Sequence, residues 1–543
     1  MTEKGKLLKS ASVIALITVI SRICGYLRDQ RVALLLGTTP VADSFILAFR
    51  IPNMIRRVTS EGALGASFIP VFTGYLRGKA QRDTWAFAQR MFWDMALVLA
   101  IVSILGCVFS RQVIGIFTLM GVHQVHWDLA VYLNRIIFPC VLFMGLSALA
   151  SSILHSFQHF ALPAFTGVMF NLVVIVFSFS LFYQPIMKWA PEAYRTPAVG
   201  LAAGILAGSM AALALQVPAL RNLGMKFRPD VNFQDAGVRK TGKLMAPIFF
   251  GTGVFQLNFF IDTIFATSSR MPTGSITSLY VSDRVMELVL GVYAMALSTV
   301  ILPAMSHQAA AGQHQEMKQT FGFALRIVSF ITIPAAIGLI LLRVPITQVL
   351  FQHGEFGVRS TALTSHALLF YSLGLPAFAA IKLITPMYYS THDTMTPTKV
   401  GLYAMGLHVT LNVVLLFAFG RYLWNASPAL ASSLAAYFNF AALFVIFRGR
   451  YGSLGATAIF SSLGKMAICA AAMAGACVVA LRYAHFETIE HFGPRAGMLA
   501  AMIAVCVGVY FALAKLLKCE ELPELFLLLQ RPEPEAVTLG VDV

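Results

Sequence analysis

The sequence predicts an all-α polytopic membrane protein of about fourteen transmembrane helices: two pseudo-symmetric six-helix bundles followed by two additional helices. Three observations carry this. The chain is 58% hydrophobic and only 12% charged, with a mean hydropathy of +0.75, whereas a soluble protein carries about 25% charged residues. It contains long apolar runs, such as Met95 to Phe109 and Leu172 to Phe182, in place of the apolar/polar alternation of a membrane β-barrel. A span needs about 20 mostly apolar residues, so 543 residues leave room for roughly a dozen or more.

Taken in order, the first span covers residues 11–36. Lys4, Lys6 and Lys9 precede its apolar start in the manner of a signal peptide, but Ser21-Arg22 follows with no small-residue cleavage site, so the segment reads as retained. The spans at 40–77, 84–109, 128–156, 161–184 and 196–219 complete a first bundle, domain 1–230. Pro52 is expected to kink the second of them. A second bundle, domain 231–455, holds the spans at 237–268, 276–305, 318–350, 361–390, 397–420 and 424–447. Two more, at 460–483 and 494–518, form a segment at 456–520. A cytoplasmic tail at 521–543 carries Glu533 and Pro534.

An even number of spans puts both termini on one side. Lys and Arg total 40 against 24 Asp and Glu, a net charge of +16. With both termini cytoplasmic, the inner loops hold Arg77, Lys79 and Arg82, then Arg221, Lys226, Arg228, Arg239, Lys240 and Lys243, then Arg448 and Arg450. The outer loops hold Lys188, Arg195 and Arg270. This is the positive-inside pattern. The basic residues form no soluble patch or arm, which argues against nucleic acid. Seven cysteines without CxxC spacing, mostly in apolar stretches, read as small core residues.

An internal repeat relates the first twelve spans. Pro70, Gly78, Phe87-Ala88 and Arg90 match Pro303, Gly312, Phe323-Ala324 and Arg326 at nearly constant offset. His155-Ser156 followed by Pro163 matches Tyr389-Ser390 followed by Pro397. Paired bundles of this kind are a transporter architecture that works by alternating access, and the last two helices stand outside the repeat.

Ionisable residues in a span cost a few kcal/mol and face a cavity or a partner. The first two spans concentrate them: Arg22, Arg28, Asp29 and Arg31, then Asp43, Arg50, Arg56, Arg57 and Glu61. At 100° per residue Arg22 shares a face with Asp29, and Asp43 with Arg50, while Arg57 and Glu61 are spaced to pair. Residues near helix ends can instead snorkel to the interface, which does not account for Arg22, Asp43 and Arg50 together. The second half is sparser, with Asp262, Asp283, Arg284, Glu287 and Lys382. The result is a cationic cavity built mainly by the first bundle. Arginines suit a phosphate group because the guanidinium stays charged and donates bidentately.

Ser21-Arg22-Ile23-Cys24-Gly25-Tyr26-Leu27-Arg28-Asp29, Ala42-Asp43-Ser44-Phe45, Arg50-Ile51-Pro52-Asn53 with Arg56-Arg57, and Ser60-Glu61-Gly62-Ala63 closely resemble the MurJ (MviN) family of lipid II flippases. So do Phe68-Ile69-Pro70, Ser282-Asp283-Arg284 with Glu287, Leu302-Pro303, Phe351-Gln352-His353-Gly354 and Tyr388-Tyr389-Ser390 leading to Thr396-Pro397. The resemblance runs from about residue 8 to about residue 450. It implies a member of the multidrug/oligosaccharidyl-lipid/polysaccharide exporter superfamily, in the bacterial cytoplasmic membrane. Such a protein moves undecaprenyl-diphosphate-linked disaccharide-pentapeptide from the inner to the outer leaflet in the service of peptidoglycan biosynthesis. By resemblance the substrate-binding arginines are Arg22, Arg28, Arg56 and Arg284, with Arg50 where the family often has Lys. The cavity acids are Asp43 and Glu61, to which the charge pattern adds Asp29, Asp283 and Glu287. The two unpaired helices would form a groove for the isoprenoid tail. Membrane lipids and cell-wall synthesis proteins are the further partners implied.

No cofactor is expected. Asp262 with Asn412, one turn from His408, is a candidate site for a coupling Na+ or H+, although membrane His and Asn residues also serve as interhelical hydrogen bonders. Enzyme readings lack support, because His353, His392 and Asp393 form no catalytic or metal-binding spacing. Three other readings stay open: a flippase for another polyprenyl-diphosphate-linked oligosaccharide, a drug/cation antiporter, whose cavity should be apolar and acidic, and a non-transporting scaffold for cell-wall enzymes.

Overall fold

The computed structural model describes residues 3–58, 64–121, 125–391, 393–452, 456–484, 486, 489 and 491–530. Among them every regular element is a helix. Among the described residues nine helices are long and apolar enough to cross a membrane, and ten with one bent pair. The other four expected spans correspond to the helices that carry most of the intramembrane charge, α1 (Glu3–Leu36), α2 (Pro40–Val58) with α3 (Leu64–Gly78), α10 (Ala236–Ala266) and α11 (Ser275–Ala310).

The remaining long helices of the first half are α4 (Gln81–Val108), α5 (Trp127–Ile137), α6 (Cys140–Ser156), α7 (Ala161–Phe177), α8 (Ser180–Trp189) and α9 (Pro197–Ala214). They are followed by α12 (His314–Leu341), α13 (Arg343–Phe351), α14 (Val358–Ser390), α15 (Met395–Leu423), α16 (Ser427–Tyr451), α17 (Ala456–Tyr483), α18 (Phe492–Leu516) and α19 (Glu521–Gln530). Several expected spans are subdivided, among them the following. The span expected at 128–156 is interrupted at Phe138-Pro139, where proline removes a backbone donor. That expected at 318–350 is divided between α12 and α13. The one expected at 161–184 becomes α7 and α8, bent by 71°. Helix α2 runs through Pro52 to Val58.

The chain forms two compact units. The first comprises Met1–Val281, Leu350–Thr364 and Val409–Pro428, and the second Ser282–Val349, Ser365–His408 and Ala429–Val543. In the first unit α1 lies along α7, and α9 packs on α6, α7 and α8. Gly200, Gly204 and Gly208 recur every four residues on α9, and a Cβ on each would lie 2.2 Å from the Tyr183 Cβ, 2.7 Å from the Phe177 Cβ and 2.9 Å from the Phe170 carbonyl oxygen. This small-residue stripe brings α9 against α7 and α8, the packing mode open to helices that no hydrophobic effect drives together. An aromatic core joins α3, α4 and α6: Phe68 stacks on Phe72 at 5.1 Å and on Phe87 at 5.6 Å, and Trp85 on Phe157 at 5.5 Å. Phe68, Phe72 and Phe87 are fully buried.

In the second unit α17 and α18 pack together on α12. Met466, Cys469, Met473 and Cys477 repeat at helical spacing against Met502, Cys506 and Tyr510, and the Tyr510 hydroxyl donates to the Phe330 carbonyl at 3.0 Å. Arg326, the repeat partner of Arg90, pairs with Glu520 at 2.8 Å and Glu521 at 3.5 Å. Arg90, in the first unit, pairs with Asp230 at 3.0 Å and Asp235 at 2.9 Å, and Asp235 caps α10 by accepting from the Gly237 and Val238 amides. The matched arginines thus both hold acids at helix ends. Asp393 does similar work for α15, accepting from the Thr396 amide at 2.9 Å and hydroxyl at 2.6 Å, with Arg450 as its ion-pair partner. Burial pushes the Asp393 carboxyl up, but the Thr396 hydrogen bonds and Arg450 outweigh it and hold the carboxyl down at about 2.

Candidate functional site

The charged residues of α1 and α2 are placed by a small number of specific hydrogen bonds. The Nε and Nη2 atoms of Arg28 both donate to Asp29 Oδ1, at 3.0 and 2.7 Å, and its Nη1 donates to Asn171 Oδ1 at 3.0 Å. Asn171, on α7, also donates to the Ser21 carbonyl at 3.3 Å. The guanidinium lies 6.0 Å from the centre of the Phe170 ring. Asp29 is 8% exposed and accepts in addition from the Tyr280 hydroxyl at 3.4 Å. The guanidinium plane is therefore fixed on two edges by partners from two helices, while the arginine side chain remains 17% exposed. Arg22, about two turns away on α1, is exposed.

Arg31 takes a different course. Its Nε donates to the Ser178 hydroxyl at 3.1 Å and its Nη2 to the Ser178 carbonyl at 3.3 Å, and its guanidinium lies 4.5 Å from the Phe179 ring centre. It thus satisfies backbone freed by the bend between α7 and α8.

On α2, Asp43 is 1% exposed. Its Oδ2 accepts from the Gly274 amide at 2.8 Å, and its Oδ1 from the Thr277 amide at 2.8 Å and hydroxyl at 2.7 Å. A carboxylate borrowed from another helix thereby caps the start of α11, where the backbone amides are unmatched and the helix dipole favours negative charge. Arg50 donates to the Thr263 hydroxyl at 2.7 Å, and Arg56 to Asn53 Oδ1 at 3.1 Å. Arg57 lies 5.7 Å from the Phe259 ring centre. Glu61, the expected partner of Arg57, lies outside the described residues, as does His392. Asp262, 3% exposed, faces Asn412, whose Nδ2 is 3.5 Å from its Oδ1.

In the second unit Arg284 pairs with Glu287 one turn along α11, and both side chains keep partial exposure while Asp283 is buried. The site residues are therefore gathered in two sets. Arg28, Asp29, Asp43, Arg50 and Arg56 belong to the first unit with Arg22, Asp262 and Asn412, and Asp283, Arg284 and Glu287 belong to the second.

Asn171, Tyr280 and Thr263 were not among the expected site residues. Asn171 had a signal, as an amide in the apolar run of residues 168–177, where such a side chain seeks an interhelical partner. Chemically, the first set offers a guanidinium whose orientation is fixed in advance and further cations on the same two helices. That arrangement suits a multiply charged oxyanion, since a planar donor fork can engage two of its oxygens.

The family model described as lipid II flippase MurJ matches residues 32–494. A "Probable lipid II flippase MurJ" of Vibrio cholerae serotype O1 is 34% identical over 527 residues, covering 95% of this chain and 97% of that protein. One of Buchnera aphidicola subsp. Baizongia pistaciae is 32% identical over 440 residues, covering 81% of this chain and 83% of that protein. Among solved structures, "Lipid II flippase MurJ, inward closed conformation" aligns with a TM-score of 0.76 at 23% identity, covering 93% of this chain and 98% of that one. An inward-facing multidrug resistance MATE family transporter of the MOP superfamily shares the fold at a TM-score of 0.65 and 15% identity, covering 82% and 99%.

Proposed function

The chain belongs to the lipid II flippase MurJ family, and on that premise we propose that it carries undecaprenyl-diphosphate-linked disaccharide-pentapeptide from the inner to the outer leaflet of the bacterial cytoplasmic membrane by alternating access. The observation that supports this most directly is Arg28, a guanidinium held by Asp29 and Asn171 in a helix set otherwise built for lipid. Arg28 engages the diphosphate, together with Arg22, Arg50, Arg56 and Arg284. Asp29, Asp43, Glu61, Asp283 and Glu287 orient the cations or compete for them once the substrate has left. The protein acts as a transporter, with no catalytic step of its own.

Both termini are cytoplasmic in this reading, as the loop charges imply. The membrane potential then favours export. Each elementary charge is worth about 2.3 kcal/mol per 100 mV, so a headgroup with roughly two negative charges gains about 4–5 kcal/mol per 100 mV on moving outward. The isoprenoid chain stays in lipid along α17 and α18. Return of the empty carrier is coupled to Na+ or H+ at Asp262 and Asn412. In Asp262→Asn, the cation dependence of transport should disappear while binding of the lipid-linked precursor is retained. Unchanged cation dependence would remove this site from the cycle.

The function itself is tested by depleting the protein from a host without a redundant flippase and measuring the leaflet distribution of the precursor. Accumulation in the inner leaflet is the expected result, and normal outer-leaflet delivery would refute the proposal. Cell-wall synthesis proteins are the partners to which the delivered precursor would pass.

A further inference from the structure

Helix α8 is a ten-residue element set at 71° to α7, and its sequence divides into three faces. At 100° per residue, Leu181, Pro185, Trp189 and Phe182 sweep an apolar arc, Lys188 and then Gln184 adjoin it at the Leu181 edge, and Tyr183 with Met187 fall on a third side. The third face is the packed one, for Tyr183 backs onto Gly200 of α9. The first is bare: Trp189 is 91% and Leu181 76% exposed, with Phe182 also exposed. A water-facing helix would be expected to carry polar residues there.

The bare stripe continues a surface that is already in lipid. Leu172 and Val176 on α7 and Phe179 at the bend are exposed and lead directly into Leu181 and Phe182. Helix α7 has 17 residues, about 25 Å of rise, against a hydrocarbon core of about 30 Å. Its end therefore falls near a membrane boundary, and a turn of 71° leaves α8 running along that boundary. Arg31 braces the turn through Ser178 and Phe179.

We propose that α8 is a monotopic foot lying in the headgroup region of the leaflet that α7 reaches. Its stripe of Leu181, Phe182, Pro185 and Trp189 rests on the upper acyl chains, and Lys188 lies among the lipid phosphates. An aromatic and a lysine at the membrane–water boundary, over an apolar stripe, is the composition that holds a helix in this plane. The foot stops α7 from sliding along its own axis, the axis on which Asn171 holds Arg28.

The test uses the full chain in vesicles of phosphatidylethanolamine and phosphatidylglycerol, with a nitroxide at Leu181→Cys or Trp189→Cys. Both variants carry Cys107→Ser, since the other six native cysteines are buried. Electron paramagnetic resonance then reads depth from the accessibility of each label to oxygen and to a nickel chelate. The two labels should report the same shallow depth, with oxygen dominant and nickel partly excluded. A depth offset of about 12 Å, the rise over eight residues, would show that α8 continues the span. Full nickel access at both would place it in water, and exclusion of both reagents would show a protein partner on the stripe. Any of these three overturns the proposal.

Discussion

Arg28→Ala is expected to cut outer-leaflet delivery of the lipid-linked precursor by about tenfold to a hundredfold at matched membrane abundance. The estimate follows from the loss of one charge-assisted hydrogen-bonding partner, about 1.5–3 kcal/mol. Geometry makes Arg28 the strongest choice. Two of its nitrogens are committed to Asp29 and a third to Asn171, so its orientation is fixed before substrate arrives, and little side-chain entropy remains to be lost on binding. Arg28→Lys keeps the charge but cannot reproduce a fork that uses Nε and Nη2 on a single oxygen, and should fall between wild type and alanine. Wild-type delivery by Arg28→Ala would remove the diphosphate assignment and leave the fold and family untouched.

Asp43→Ala should lower stability by about 3 kcal/mol or more, read as a loss in thermal unfolding of the purified protein. Three donors lose their acceptor at once, the Gly274 amide and the Thr277 amide and hydroxyl, at a position 1% exposed. Each buried donor left unmatched costs about 1–3 kcal/mol, partly relieved by local relaxation. Asp43→Asn keeps one acceptor oxygen but turns an amide donor toward groups that also donate, so it should be intermediate. Hydrogen exchange at the first turn of α11 separates this from a binding effect, because only loss of the cap exposes the Thr277 amide. Unaltered melting together with unaltered exchange would exclude the capping role.

Much of this was legible in the amino acids. Composition and apolar run length were enough for a helical membrane fold, because lipid forces the backbone to satisfy itself within each span. The arginines of α1 and α2 mark a candidate site because charge there is costly. The break at Phe138-Pro139 had a visible cause in the proline. The bend between α7 and α8 did not, since neither glycine nor proline marks Ser178-Phe179, and its brace, Arg31, comes from 147 residues away. Face-sharing placed Asp43 with Arg50, but the structure sends one to the start of α11 and the other to Thr263. Helical periodicity reports which residues share a face and carries no information on what the neighbouring helix offers.

The partnership of Arg28 with Asn171 spans 143 residues, and this matters during biosynthesis. At roughly 5–20 residues per second, Arg28 leaves the ribosome about 7–30 s before Asn171 does. Throughout that interval α1 must tolerate a guanidinium without its amide partner. Asp29, the very next residue, emerges with it and neutralises it from the start. The adjacent acid thus escorts the cation into the bilayer, and the amide arrives later to fix its direction.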